Sequence, residues 1–69
     1  MPKDAHHKAA EQHDNAAKAH RAAAEHHGKG DHKTAYQHST KAVEHSKTAH
    51  EHSIQAHKKS EEKSRAATA

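Results

Sequence analysis

A seven-residue repeat of histidine and alanine runs through this sequence and constrains its fold more than any other feature. In the first half, histidine recurs every seventh residue, at His6, His13, His20 and His27. In the second half, a His-Ser pair recurs at the same spacing, beginning at His38, His45 and His52. A period of seven keeps one stripe of side chains on one side of a helix. The chain is therefore predicted to be all-α.

Two glycines, Gly28 and Gly30, divide the chain into two helical segments. No other glycine is present, and the one proline is Pro2. Because neither segment contains an interior helix breaker, we expect each to form one long helix. The expected organisation is one domain over 1–69, with helix 1 over about 2–27, a turn over 28–30 and helix 2 over about 31–66.

The residues of the turn predict how the two helices are joined. Gly28 suits the left-handed C′ position after helix 1, and Asp31 suits the N-cap of helix 2. A connection of about three residues between two long helices favours antiparallel neighbours. We therefore expect an antiparallel two-helix hairpin.

Composition limits the core of such a hairpin. Of the 20 hydrophobic residues, 16 are alanine, and the others are Met1, Tyr36, Val43 and Ile54. An alanine methyl contributes roughly 0.8 kcal/mol on burial, which is less than the roughly 1–2 kcal/mol that ordering a residue's backbone costs. Since cysteine is absent, we expect stabilisation by a bound metal, by the high helix propensity of an Ala/Lys/Glu/Gln-rich chain, or by pairing of hairpins into a four-helix bundle, as a homodimer or higher homo-oligomer.

The two segments place histidine and alanine at different heptad positions. Histidine occupies a and alanine d and e in the first, whereas alanine occupies a and histidine d in the second. Folding at 28–30 puts residues whose numbers add to about 58 opposite each other. The predicted histidine pairs, separated by alanine layers, are His20 with His38, His13 with His45, and His6 with His52.

Neutral imidazole is a preferred ligand of zinc, copper, nickel and cobalt. No two histidines are spaced i,i+3 or i,i+4, so ligands have to converge from different helices, two per hairpin layer or four in a bundle. His27 and His32 flank the turn and form a further candidate site. The predicted ligands are His6, His13, His20, His27, His32, His38, His45 and His52. Weaker candidates, off the main stripe, are His7, His26, His50 and His57.

Other functional classes are disfavoured. The net charge of +3 is spread along the chain, which argues against a nucleic-acid partner. No apolar run is long enough for a membrane span or a signal sequence, so we expect no membrane partner and a cytoplasmic location. Neither a nucleophile with an orienting base nor an apolar pocket is evident, so we expect neither an enzyme nor an organic substrate.

The segment from Ala22 to His32, followed by the His-Ser-x-x-Ala-x-Glu repeats, resembles a family of small His/Ala-rich bacterial proteins. The resemblance covers most of the chain and implies a bacterial, cytoplasmic origin. It carries no activity over to this sequence.

The residues favour a histidine-rich protein that buffers, stores or detoxifies a divalent transition metal. One alternative is a hydrophilic stress protectant of the late-embryogenesis-abundant type, although such proteins usually repeat every eleven residues. A second alternative is an acid-responsive helical protein, because protonating 12 histidines raises the net charge from +3 toward +15.

Overall fold

The computed structural model describes residues 2–68 and consists of two helices, α1 (Pro2–Gly28) and α2 (His32–Thr68). The helices pack along their length into a rod of 58 × 13 × 13 Å. Within residues 2–68 there is no strand, and neither helix has a stretch long and apolar enough to cross a membrane. The predicted all-α two-helix hairpin is confirmed, with helix ends within two residues of those predicted.

The turn between the helices is a Schellman motif. The Asp31 amide donates to the His26 carbonyl at 2.9 Å, and the Gly30 amide donates to the His27 carbonyl at 3.0 Å. This pair of bonds makes Gly30 the C′ residue, and Gly30 has the left-handed φ of 80° that the motif requires. The prediction of Gly28 as C′ is wrong, because α1 includes Gly28 and the residue with left-handed φ is two positions later, at Gly30.

Asp31 caps α2 as predicted. Its Oδ1 atom accepts a hydrogen bond from the Thr34 amide at 3.2 Å, and its carbonyl accepts the Ala35 amide at 3.0 Å. The bond from Thr34 satisfies one of the amides that the first turn of a helix leaves without an intrahelical partner, and the bond from Ala35 is the first regular bond of α2.

The two glycines should respond oppositely to alanine. Added Cβ atoms would meet nothing within 4 Å at either position, but only Gly30 has a positive φ. We therefore expect Gly30→Ala to cost roughly 1–2 kcal/mol through backbone strain, and Gly28→Ala to gain up to about 1 kcal/mol through helix propensity. Thermal unfolding followed by circular dichroism measures both. A loss of stability at Gly28 alone would contradict this assignment of the turn.

A single seam of alanines forms the core. Seven alanines, one heptad apart on each helix, are at most 8% exposed: Ala9, Ala16, Ala23, Ala35, Ala42, Ala49 and Ala56. Among the described residues, no side chain larger than alanine is buried. A seam of methyl groups allows two helix backbones to approach closely, so contact between the helices replaces a conventional hydrophobic interior.

Candidate metal-binding site

Hydrogen bonds between the helices show a register different from the predicted one. His6 Nε2 lies 2.6 Å from Ser60 Oγ, and His13 Nε2 lies 2.8 Å from Ser53 Oγ. The ring of His26 stacks on that of His38, with centroids 5.1 Å apart. Facing residues therefore have numbers that add to 64–66, so α2 is displaced by about one heptad from the register predicted by sequence.

The path of the turn explains this displacement. The predicted register assumed that the chain reverses at residues 28–30 without advancing along the axis of α1. The Schellman motif instead carries the chain past the end of α1 before α2 begins. At 1.5 Å per residue, the observed register places the start of α2 roughly 6–9 Å beyond Gly28.

The two histidine stripes lie on opposite sides of the alanine seam, because histidine follows the buried alanine by four residues on α1 and by three on α2. His6 and His13 of α1 meet serines of α2, whereas His38 of α2 meets His26 on the other side of the alanine seam. On that side, the half-buried residues of α1 are Ala5, Gln12, Ala19 and His26. The predicted pairs are wrong: His20 with His38, His13 with His45, and His6 with His52.

Three of the predicted ligands are left without a polar partner. His20, His45 and His52 make no hydrogen bond, ion pair or ring contact within residues 2–68. In the same part of the chain, no group of three or more His, Asp or Glu side chains lies close enough to hold a metal ion. The structure therefore offers no layer of histidines between these two helices.

Two separate sets of polar side chains lie at the turn, and together we call them the turn cluster: His27 with His32, and His26 with Asp31 and His38. His27 Nδ1 lies 2.8 Å from His32 Nδ1, and their ring centroids are 5.1 Å apart. His26 Nδ1 lies 3.6 Å from Asp31 Oδ2, and the same ring stacks on His38. The cluster combines a direct contact between two imidazole nitrogens with a carboxylate beside a third imidazole.

The His27/His32 pair has the chemistry of a two-nitrogen chelate. A hydrogen bond between two Nδ1 atoms requires one ring to donate its proton and the other to accept it. A tetrahedral ion with bonds of 2.0–2.1 Å holds two nitrogens about 3.3 Å apart. Replacing the shared proton by such an ion therefore increases the distance between the two Nδ1 atoms by only about 0.5 Å. Both side chains are exposed, so an ion and its remaining water ligands have access.

Asp31 carries a negative charge at the turn, beside His26. The hydrogen bond from Thr34 to its side chain is the largest cause of a pKa below the ordinary value of 3.8, and the nearby His26 lowers the pKa further. The carboxylate is therefore ionised at neutral pH. This charge lies at the N-terminus of α2, where the helix dipole stabilises it.

The lowered pKa of Asp31 predicts how the cap depends on pH. Because the folded-state pKa is below the unfolded value, the charged cap stabilises the hairpin above about pH 4, and this stabilisation disappears as the pH falls through the lowered folded-state pKa. Asp31→Asn keeps a capping side chain without the charge. We expect the difference in Tm between wild type and Asp31→Asn to be largest above pH 4 and to vanish at lower pH. A difference that is unchanged at low pH would contradict this assignment.

Sequence reasoning identified the His27/His32 pair but undervalued its neighbour. The heptad pattern puts His26 among the weaker candidates because it lies off the histidine stripe. The hydrogen bond from the Asp31 amide to the His26 carbonyl brings it into the cluster. The sequence signal for this placement is the Gly-x-Gly-Asp segment directly after two histidines. With Gly30 as C′, this segment predicts the Schellman motif. Nothing in the heptad pattern indicated that Ser53 and Ser60 would bond to histidines.

Comparisons with known proteins do not indicate a function. No protein-family model, curated protein or solved structure matches this chain. The resemblance to small His/Ala-rich bacterial proteins therefore stays a prediction.

Proposed function

We propose that this protein binds a divalent transition-metal ion and that His27 and His32 are the primary ligands. The observation that carries the proposal is the 2.8 Å approach of their Nδ1 atoms across the turn. Two imidazoles without thiolate suit zinc, copper(II), nickel or cobalt better than the hard cations magnesium and calcium.

The number of ligands supports a role in buffering or storage. Because the His27/His32 pair offers two imidazoles, water has to complete the coordination sphere, and a site with exchangeable water ligands releases its ion readily. Buffering of a transition metal in the cytoplasm is the role that we propose for this chain.

Calorimetric titration tests the proposal. Metal-free protein is titrated with zinc, nickel and copper(II), and the same titrations are repeated on His27→Gln/His32→Gln. We expect saturable binding of one ion per chain at the strongest site. The variant lacks both ligands, and removing even an outer-shell partner of a ligand costs roughly 10- to 100-fold in affinity. We therefore expect the variant to lose at least this much.

A matched control removes two histidines outside the cluster. His50 and His57 are exposed on α2, and His50→Gln/His57→Gln should leave the strongest site unchanged. Equal losses in the two double variants would contradict a defined site at the turn. Weak, non-saturating binding by wild type would also contradict it and would favour the stress-protectant or acid-responsive alternative.

Binding should also depend on pH. Metal coordination requires neutral imidazole, so each ion competes with protons for the His27/His32 pair. Histidine generally titrates near pH 6.5, and we therefore expect affinity to fall steeply between pH 7 and pH 5.5. Titrations at three pH values measure this fall, and an affinity that does not change over that range would exclude imidazole ligands.

A further inference from the structure

The three large apolar side chains of α2 lie on its solvent-exposed surface. Tyr36, Val43 and Ile54 are 71%, 64% and 54% exposed. The 18 residues from Tyr36 to Ile54 make five full helical turns, and Val43 follows Tyr36 by nearly two turns. All three therefore lie on one line along α2, which we call the apolar stripe. This line is roughly 120° around the helix from the alanine seam.

We propose that a second copy of this chain docks on the apolar stripe, with the two α2 helices antiparallel, to form a four-helix bundle. This proposal does not depend on metal binding. The second copy would cover the one surface where the described chain exposes its large apolar side chains.

The stripe is complementary to itself. Tyr36 and Ile54 are equally distant in sequence from position 45, so a two-fold axis there places Tyr36 of each chain against Ile54 of the other. The same axis places Val43 against Lys47, which is exposed on the same line. The aliphatic stem of a lysine can cover a valine while its ammonium group stays in water. Such reciprocal contacts are what an isologous dimer interface requires.

The overlap of the two chains is large enough for a specific, weak dimer. With the axis at position 45, residues 32–58 of each α2 face each other over about 39 Å. Over the 13 Å width of the rod this is about 500 Å² per partner, or about 1,000 Å² in total, the lower end of the range for specific interfaces. The pairing would also add Tyr, Val and Ile contacts to a hairpin whose own seam contains only alanine.

Analytical ultracentrifugation in the presence of a chelator tests whether the apolar stripe is a dimer interface. We expect wild type to sediment as twice 7.6 kDa at high micromolar concentration. The triple variant Tyr36→Ala/Val43→Ala/Ile54→Ala should dimerise at least tenfold more weakly. Alanine has the highest helix propensity, so the variant should stay helical, which circular dichroism verifies. The matched control replaces exposed residues on another line of α2, as Gln37→Ala/Thr48→Ala/Gln55→Ala, and should dimerise like wild type.

Cross-linking tests the antiparallel arrangement. The chain has no cysteine, so Tyr36→Cys and Ile54→Cys can be introduced separately. Oxidation of the mixed variants should give a covalent dimer, whereas each variant alone should give little.

Three results would overturn the proposal. They are a monomeric wild type at 1 mM, unchanged dimerisation of the triple alanine variant, and efficient cross-linking of Tyr36→Cys with itself. Binding of monomeric wild type to anionic lipid vesicles, lost in the triple variant, would assign the stripe to a membrane surface instead.

Discussion

A chain carrying Ala16→Cys and Ala49→Cys should oxidise readily to an intramolecular disulfide and become about 4 kcal/mol more stable. Both alanines are buried in the seam, and the observed register places them at the same level. The bridge closes a loop of about 33 residues, for which the chain-entropy model gives a stabilisation of this size. Thermal or urea unfolding of the oxidised and reduced forms measures it, with the reduced form as the reference.

The sequence-predicted register supplies the control for this experiment. It would place Ala42 opposite Ala16, but in the structure Ala42 lies one heptad from that level, about 10.5 Å along α2. Cysteines whose Cα atoms are more than 7 Å apart do not form a bridge without backbone movement. Ala16→Cys/Ala42→Cys should therefore stay reduced under the same conditions. Efficient oxidation of this pair, but not of the 16/49 pair, would restore the predicted register.

Ala42→Leu should destabilise the hairpin by about 1–3 kcal/mol, a large part of the stability of so small a chain. Ala42 is 0% exposed in a seam where every buried side chain is alanine. A leucine there has to push the helices apart, which weakens the methyl contacts on both sides of it. The change in the free energy of unfolding is measured by urea denaturation of chelator-treated protein.

Ala24→Leu is the matched control, because Ala24 is exposed on α1. Leucine and alanine have similar helix propensities, so this substitution should change stability by less than about 0.5 kcal/mol. An Ala42→Leu variant that is as stable as Ala24→Leu, or more stable than wild type, would contradict this prediction. The seam would then be loosely packed and the helices would not be held together by close alanine contacts.

Local signals predicted the parts of the fold that depend on neighbouring residues. The uninterrupted Ala, Lys, Glu and Gln segments predicted both helices, and the side chain of Asp31 predicted the cap that its bond to Thr34 confirms. The heptad spacing predicted that alanines of both helices would be buried together. The pairing of His27 with His32 followed from their position on either side of a short turn, and the structure places them in contact.

The predicted histidine layers are wrong for a different reason as well as for their level. Histidine follows the buried alanine by four residues on α1 and by three on α2, so the two stripes lie on opposite sides of the seam whatever the register. The level at which the helices meet is a separate matter, and the repeat does not fix it. Alanine recurs every seven residues on both helices, so a slip of one heptad still places alanine against alanine. The repeat therefore permits several registers of similar packing. A turn that advances the chain by only a few ångströms selects among them, and the heptad pattern contains no information about that advance.

The sequence by itself determined two helices, a break at the glycines, a seam of alanines and a histidine on each side of the turn. These features depend on propensity, periodicity and short-range capping, which act over a few residues. The level at which the helices meet, and with it the His13–Ser53 bond and the stacking of His26 on His38, comes from the tertiary structure. Several levels place alanine against alanine, so the periodicity does not select one of them. The observed level goes with a turn in which Gly30 is left-handed and α2 begins beyond the end of α1.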